Sequence, residues 1–347
     1  MRRKSETALT KPLSFRSMSD AMAAARDGDR IVVQLGHHNM GGSALNVDKR
    51  VLIRHVVHAL SVLTLSAASD FACPWACRGE GSLGETVIEQ RGNAPLFHFT
   101  VPAVVQNLVL DLCGFRECLL FDGSERCTPL VEGCNLKCSG DHSAVSVGAA
   151  APTLRRCDIA ARKAGMLCLD SSRPHLQDCS VGPCEEQGIR AADSSWPRLE
   201  RCRISECCAE GIVAMEHACV EAVSCTLRGN KGPGVDISGS AHVAMDGCVV
   251  TDNAGGVFMW DTASASLQRC RLDGGPHHAI LADSSSRPTV HECVVDGDLM
   301  LLSEESAAGV NDAGQNNKIS APKQPAVLPA EVTGPFKFEA DRFTRKQ

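Results

Sequence analysis

Eight cysteines recur along the chain at intervals of 22 or 23 residues, and this spacing constrains the fold more than any other feature. An apolar residue lies three or four positions before each of them, and Ile, Val or Leu lies two positions after. The eight are Cys134, Cys157, Cys179, Cys202, Cys225, Cys248, Cys270 and Cys293. A fixed period of this length is typical of a solenoid, in which each repeat buries its apolar face against its neighbours. The 347 residues therefore need not divide into the two or three domains that length alone suggests.

A second pattern keeps the same period. A small residue followed by an apolar one recurs at Gly165-Met166, Gly188-Ile189, Gly211-Ile212, Gly234-Val235, Gly256-Val257 and Ala279-Ile280. Turn-forming clusters rich in Asp and Ser follow, and they divide each repeat into short β segments, of which we expect two. No repeat has room for a helix. The sequence therefore predicts an all-β fold, a single-stranded right-handed parallel β-helix with coils of 22–23 residues, rather than a leucine-rich repeat.

The composition indicates what fills the core. Hydrophobic residues make up 44% of the chain but aromatic residues only 4%. We therefore expect a core of Val, Ile, Leu, Ala and Cys, with the eight recurrent cysteines in one inward column. Coils stack ~4.8 Å apart, a spacing that does not suit a disulfide between successive thiols. We interpret the column as core packing, and a redox or metal-binding role is the alternative.

Cysteine usage and charge bear on the compartment and the partners. The cysteine count of 19 is odd, and residues 1–6 lead into no apolar stretch of the kind that a signal peptide needs. We therefore expect reduced thiols in the cytoplasm, or in the nucleus. The net charge of -6 is modest and spread along the chain, so neither nucleic acid nor a membrane is an expected partner. No cofactor and no metal site is predicted.

The chain divides into five predicted regions. These are a flexible N-terminus at 1–16, a capping helix and first coil at 17–54, an insertion at 55–78, the parallel β-helix at 79–303 and a disordered tail at 304–347. Ser17 or Ser19 is expected to cap the helix, and Gly28 to end it. Residues 55–78 do not fit the repeat. They form either a loop or helix that protrudes from the solenoid, or a segment that results from an incorrect gene model. Cys73 and Cys77 within them lack the spacing and the second pair of a zinc site.

The start of the chain resembles a known superfamily. The opening pattern of right-handed β-helix proteins is matched by Ala21, Ala25, the run 27–31, Gly36 and the strand segments within 45–53. One departure is His37-His38-Asn39 after Gly36, where an aromatic residue is usual. The later repeats are similar to those of β-helix F-box-only proteins and of SHC-SH2-domain-binding, spindle-associated proteins. The resemblance covers roughly 17–303, and it implies the architecture but not the activity, because this superfamily includes both sugar-active enzymes and interaction scaffolds. No F-box-like helical segment is recognisable, so direct coupling to a ubiquitin ligase is not expected.

One acidic column is the candidate site. Five residues after the recurrent Gly lie Asp170, Asp193, Glu216 and Asp261. We expect these side chains to form an acidic stripe on an outward turn. The stripe could bind Ca²⁺ or a basic partner, or it could be turn chemistry alone, because Asp and Ser cap their own backbone. Glu206 and Glu210 add negative charge to a neighbouring turn.

The functional prediction follows from the regular coils, the scarcity of aromatic residues and the absence of a recognised catalytic motif. We predict a non-enzymatic intracellular scaffold that binds another protein through a lateral face of the solenoid, as a substrate-recognition or signalling adaptor. The alternative is a carbohydrate-active enzyme, a lyase or a glycoside hydrolase, that uses carboxylates among Asp170, Asp193 and Glu216. Carbohydrate is the less favoured ligand, because the repeats have few large aromatic side chains on which a sugar could stack.

Overall fold

The protein is a right-handed parallel β-helix of about 11 turns, which confirms the predicted architecture. The computed structural model describes residues 13–33, 36–40, 43–55, 63–66, 86–311 and 317–320. Most coils contribute three short strands, and each strand pairs in parallel and in register with its counterpart in the next coil, as Leu176 does with Leu199. We call the three stacks of strands faces 1, 2 and 3, in chain order within a coil.

The strands of each face have the following bounds. Face 1 contains Arg30–Val33, Leu52–His55, Val104–Gln106, Leu130–Glu132, Thr153–Arg155, His175–Gln177, Arg198–Glu200, Cys219–Val223, His242–Asp246, Ser264–Gln268 and Arg287–His291. Face 2 contains Gly36–Asn39, Thr86–Gln90, Val109–Leu112, Asn135–Cys138, Asp158–Ala161, Ser180–Cys184, Arg203–Ser205, Thr226–Arg228, Val249–Thr251 and Lys318–Ser320. Face 3 contains Leu45–Val47, Phe97–Phe99, Leu119–Phe121, Val145–Val147, Met166–Cys168, Ile189–Ala191, Ile212–Ala214, Pro233–Ile237 and Gly255–Met259. The long strands Arg271–Ala282 and Val294–Leu301 run through faces 2 and 3 in the last two coils.

Three strands per coil replace the two segments expected from the sequence, because the chain bends within the cysteine motif. The residue before each recurrent cysteine has a positive φ, for example 49° at Arg156 and 53° at Asp178. Its N–H donates to a carbonyl of the next coil, as Asp178 does to Glu200 over 2.9 Å. The bend therefore separates a face 1 strand from a face 2 strand.

The eight recurrent cysteines stand just after this bend, buried in the core. The Sγ of Cys248 accepts the backbone N–H of Cys225 over 3.4 Å and donates to the carbonyl of Ala222 over 3.3 Å. Asn317 continues the column beyond Cys293, since its Oδ1 accepts the Cys293 N–H over 2.9 Å. All described cysteines are free thiols. The thiols of this column thus hydrogen-bond to the backbone of adjacent coils, as the side-chain amide of Asn317 does.

The N-terminal end of the core is capped by a helix and two added strands. The helix spans Met18–Ala24, and the Oγ of its N-cap Ser17 accepts the N–H of Asp20 over 3.0 Å. The helix ends before Gly28, which lies instead in the turn that leads to the first face 1 strand. The strand Leu63–Ser66 pairs antiparallel with that strand, and Leu13–Phe15 pairs with Leu63–Ser66.

Two predicted boundaries need correction. Residues 63–66 belong to face 1, so the segment 55–78 is not wholly outside the sheet. Residues 56–62 and 67–85, which include Cys73 and Cys77, lie outside the described residues. Similarly, residues 13–15 form a strand, although the sequence predicts a flexible N-terminus at 1–16.

The C-terminal end is capped as well, which corrects the prediction that the disordered tail begins at 304. A helix spans Glu304–Asn311 and the strand Lys318–Ser320 extends face 2, while 312–316 and 321–347 lie outside the described residues. The Oγ of Ser306 donates to the carbonyl of Ser286 over 2.8 Å, and Val310 is buried. The periodicity stops at 304 because this helix packs on the last face 1 strand in place of another coil. Within the described ranges, no helix has the length and hydropathy to cross a bilayer.

Candidate functional site

The structure stacks the four predicted acidic residues in one column at the corner between faces 3 and 1. Asp170, Asp193, Glu216 and Asp261 all have positive φ angles, of 53°, 55°, 61° and 58°. The carboxylate of Asp193 accepts the N–H of Asp170, and that of Glu216 accepts the N–H of Asp193, each over 2.8 Å. Gly239 fills the gap in the column, and its N–H donates to Asp261 over 3.0 Å. The carboxylates of Asp193, Glu216 and Asp261 thus cap the turn of the preceding coil, which favours turn chemistry over ligand binding.

This assignment makes a prediction for Asp193. Alanine there should lower the free energy of unfolding by about 2 kcal/mol, because it combines an unfavourable positive φ with loss of the bond to the Asp170 N–H. Glycine should cost only about half as much, since it adopts a positive φ freely, as Gly239 does in the same column. Urea denaturation at pH 7 measures both variants. Equal losses would show that backbone strain plays no part at this corner.

Face 1 carries charges that are already paired. Arg156 contacts Glu132 at 2.6 Å and Arg201 contacts Asp178 at 2.7 Å, each between neighbouring coils. Burial tends to raise the pKa of the Glu200 carboxyl, but His175 and Arg198 more than offset this and hold it below its usual value. Such pairs on a solvated surface contribute little to stability. The mixed charges of this face are therefore largely satisfied within the molecule.

Face 3 has a different surface. In five successive coils the outward positions hold, in register, Arg190, Val213, Asp236, Phe258 and Leu281. Val213, Phe258 and Leu281 lie outside the core cluster, yet they are only 8%, 5% and 6% exposed. The Phe258 ring lies against Gly255, where a Cβ would be 2.4 Å from its Cζ. These outward side chains are therefore recessed.

Two carboxyl groups meet in this recess. Glu210 precedes the strand Ile212–Ala214, which pairs with the strand that carries Asp236. Glu210 is only 7% exposed, and its Oε2 has no hydrogen-bond partner among the described residues. Burial and the negative charge of Glu210 raise the pKa of Asp236 to about 7, although a hydrogen bond from Trp260 opposes them. We call Glu210, Asp236 and Trp260 the face 3 site.

Arg190, the basic residue in this outward column, does not neutralise Glu210 and Asp236. The guanidinium of Arg190 lies 3.5 Å from the Sδ of Met215, which follows the strand Ile212–Ala214, whereas Glu210 precedes it. No ion pair of Arg190 with Glu210 or Asp236 occurs within the described part of the chain. One coil back, Gln187 occupies the position of Glu210, and its Oε1 also lacks a partner. The face 3 site thus offers acceptors that the protein itself leaves unused.

The face 3 site is not apparent from the sequence, in which Glu210 is only a charge on a turn and Asp236 follows no repeated acidic pattern. One signal was available: Asp236 interrupts an otherwise apolar column of outward residues with Val213, Phe258 and Leu281. Among the residues that the structure covers, no group of three His, Cys, Asp or Glu side chains is arranged to hold a metal ion.

Comparison with known proteins identifies the fold. The family model "right handed beta helix region" matches residues 113–240 and 216–328. No curated protein sequence matches the chain significantly. The A-module of the mannuronan C-5 epimerase AlgE4 from Azotobacter vinelandii is similar in structure, with a TM-score of 0.56 and 11% identity over 88% of this chain and 91% of that module.

Two further solved structures are less similar. The A-module of the Azotobacter vinelandii epimerase AlgE6 has a TM-score of 0.48 and 12% identity, over 88% of this chain and 93% of that module. The pectate lyase Pel9A has a TM-score of 0.42 and 13% identity, over 89% and 73%. The likeness to the AlgE4 module, at 11% identity, shows a shared fold and nothing about activity.

Proposed function

We propose that this member of the right-handed β-helix family is an intracellular scaffold that binds another protein through a lateral face of its solenoid, and that this face is face 3. The observation that carries the proposal is the buried carboxylate of Glu210, whose Oε2 has no partner among the described residues. A buried acceptor without a donor costs about 1–3 kcal/mol. A donor from a bound partner would recover that free energy.

The contrast between the faces supports face 3. On face 1 the charged side chains pair with one another across coils, as Arg201 does with Asp178. On face 3, the recessed side chains of Val213 and Phe258 are in register with Asp236 on either side of it, and the Oε2 of Glu210 has no partner among the described residues. Aromatic and apolar residues around a few polar groups are typical of the centre of a protein interface.

A second candidate function is favoured by one observation, the pKa of about 7 for Asp236. A carboxyl group that titrates near neutral pH beside a second carboxylate suits general acid–base catalysis, as in glycoside cleavage. On this reading the enzyme would use Asp236 and Glu210 rather than Asp170, Asp193 and Glu216, whose carboxylates are in the turn column.

Proximity labelling in cells tests the scaffold proposal. The full chain should label a reproducible set of proteins, and Glu210→Gln should lose most of that set, because it removes the charge with little change of shape. Glu125→Gln is the matched control, since Glu125 is exposed and lies on a different coil from the face 3 site. An identical set for the wild type and Glu210→Gln would reject face 3 as the binding face.

A panel of polysaccharides tests the second candidate with the same protein. Cleavage or epimerisation that disappears in Asp236→Asn would establish the enzyme and replace the scaffold. Activity that survives in Asp236→Asn would exclude this carboxyl pair as its catalytic centre.

A further inference from the structure

The face 3 site has an uncompensated negative charge, and that charge indicates what it binds. Glu210 is nine-tenths buried, its Oε2 has no donor among the described residues, and Asp236 lies one coil further along. A buried anion is stable only when it is paired, and a single charged partner satisfies it best. The missing group is therefore a cation rather than a neutral donor.

No basic group of the surrounding elements supplies that charge. Strands Ile212–Ala214 and Gly255–Met259 flank the Asp236 strand, and acidic residues flank them in turn. Glu216 and Asp261 cap backbone N–H groups, and Asp252 is paired with Arg228 at 2.6 Å. These groups add negative charge around the face 3 site and bring no cation to it.

Three basic residues of the adjoining elements, Arg190, Lys231 and His278, form no ion pair with Glu210 or Asp236 in the described ranges. Arg190 contacts Met215, as described above. Lys231, on the corner before the Asp236 strand, is exposed and has no ion pair with Glu210 or Asp236 in the described ranges. Burial lowers the pKa of His278, although Asp298 opposes this, so its imidazole is neutral at pH 7.

We infer that the face 3 site takes the guanidinium of an arginine side chain from a basic segment of the partner protein, with Glu210 and Asp236 as its acceptors. The inference rests on the proposed binding function of face 3 and names the partner's chemistry. Asp236 pairs in register with Val213, and Glu210 lies three residues before Val213 on the neighbouring coil, close enough for its charge to act on Asp236. We expect one planar guanidinium on a long side chain to bridge the two carboxyl groups. Trp260 donates to Asp236, so its indole lies beside the same carboxyl and can stack on the bound group.

Binding of this cation is coupled to a proton. Asp236 is largely protonated below pH 7 in the free protein, and an adjacent positive charge lowers its pKa. The bound state therefore releases a proton, and affinity for the cation rises as pH increases through 7.

The test uses a matched pair of small probes and the full chain. Nα-acetyl-L-arginine amide and Nα-acetyl-L-citrulline amide have nearly the same shape, but only the first is charged. The ¹⁵N-indole resonances of Trp75, Trp196 and Trp260 are recorded during titration, and that of Trp260 is identified by its loss in Trp260→Phe. The arginine probe should shift the Trp260 resonance saturably, with at least about tenfold tighter binding than the citrulline probe. It should also bind more tightly at pH 8 than at pH 6.

Equal binding of the two probes, or no shift of the Trp260 resonance by the arginine probe, overturns the inference, and Trp260→Phe is needed only to identify that resonance. Glu210→Gln should weaken the arginine probe by about tenfold while Glu125→Gln leaves it unchanged, and an unchanged Trp196 resonance verifies the fold. If the arginine probe binds but proximity labelling does not depend on Glu210, the proposed scaffold function fails and the cation site stands. If labelling depends on Glu210 but the probes bind alike, the cation inference alone fails.

Discussion

Asp236→Asn should stabilise the protein at pH 8, by up to about 4 kcal/mol. The pKa of this carboxyl is raised from 3.8 to about 7 in the folded state, chiefly by burial and then by Glu210. A carboxyl with a raised folded-state pKa binds more protons when folded than when unfolded, so stability falls as pH rises from 3.8 to 7. The cost of the buried charge is complete above pH 7, and the asparagine amide avoids it.

The same linkage fixes the pH dependence of the gain. At pH 5 the expected advantage of Asp236→Asn over the wild type is about 2 kcal/mol, roughly half of that at pH 8. Urea denaturation at both pH values measures it. Asp158→Asn is the control, because Asp158 is exposed on face 2 and its replacement should change stability by less than about 0.5 kcal/mol. A variant less stable than the wild type at pH 8 would show that Asp236 contributes to folding as an anion.

Gly188→Ala should destabilise the protein by about 3 kcal/mol. A Cβ at this position would lie 2.5 Å from the Cγ2 of Ile204 and 2.6 Å from the carbonyl oxygen of Gly211. The first is a buried core atom and the second is backbone of the next coil, so neither can move without disturbing the stack. This close approach explains why a small residue recurs before the face 3 strands.

Gly148→Ala provides the matched control for that loss. Its Cβ would have no neighbour closer than 3.5 Å, the distance to the Asp170 carboxylate. It should therefore be neutral, or stabilising by about 0.5 kcal/mol through the unfolded state. The midpoint and slope of urea unfolding distinguish the two variants. Similar stabilities for both would mean that the coils can separate enough to admit a methyl group.

The stabilisation expected from Asp236→Asn indicates what keeps the aspartate there. A buried carboxyl that raises the free energy of the fold is typical of a functional position, where stability and activity are in opposition. The acidic column behaves in the opposite way, because the carboxylate of Asp193 caps a backbone N–H and its loss is expected to be destabilising. The two acidic groups are thus distinguished by the sign of their effect on stability.

The sequence predicts the solenoid well because inward residues repeat with the coil. The cysteine spacing identifies the core column, since Cys179 and Cys202 occupy equivalent rungs. It does not reveal the bend before each cysteine, because a residue such as Arg156 gives no sign of a positive φ. The strand at 63–66 and the helix at 304–311 escape prediction because they cap the ends and do not repeat.

The candidate site was harder to predict than the fold. The periodic spacing of Asp170, Asp193 and Glu216 predicts a column, but only coordinates show that the carboxylates of Asp193 and Glu216 cap the turn of the preceding coil. Glu210 and Asp236 occupy different positions within their repeats, so no periodic pattern associates them. Their proximity depends on how the corner before face 3 folds over the adjacent strand.

The most direct test of the face 3 site is titration of the Asp236 carboxyl carbon by NMR, in the full chain and in Glu210→Gln. The structure predicts a pKa of about 7 in the wild type and a lower value in the variant, because the neighbouring negative charge is removed. A pKa close to 4 in the wild type, or one that does not respond to Glu210→Gln, would contradict the account of two interacting carboxyl groups in the recess of face 3.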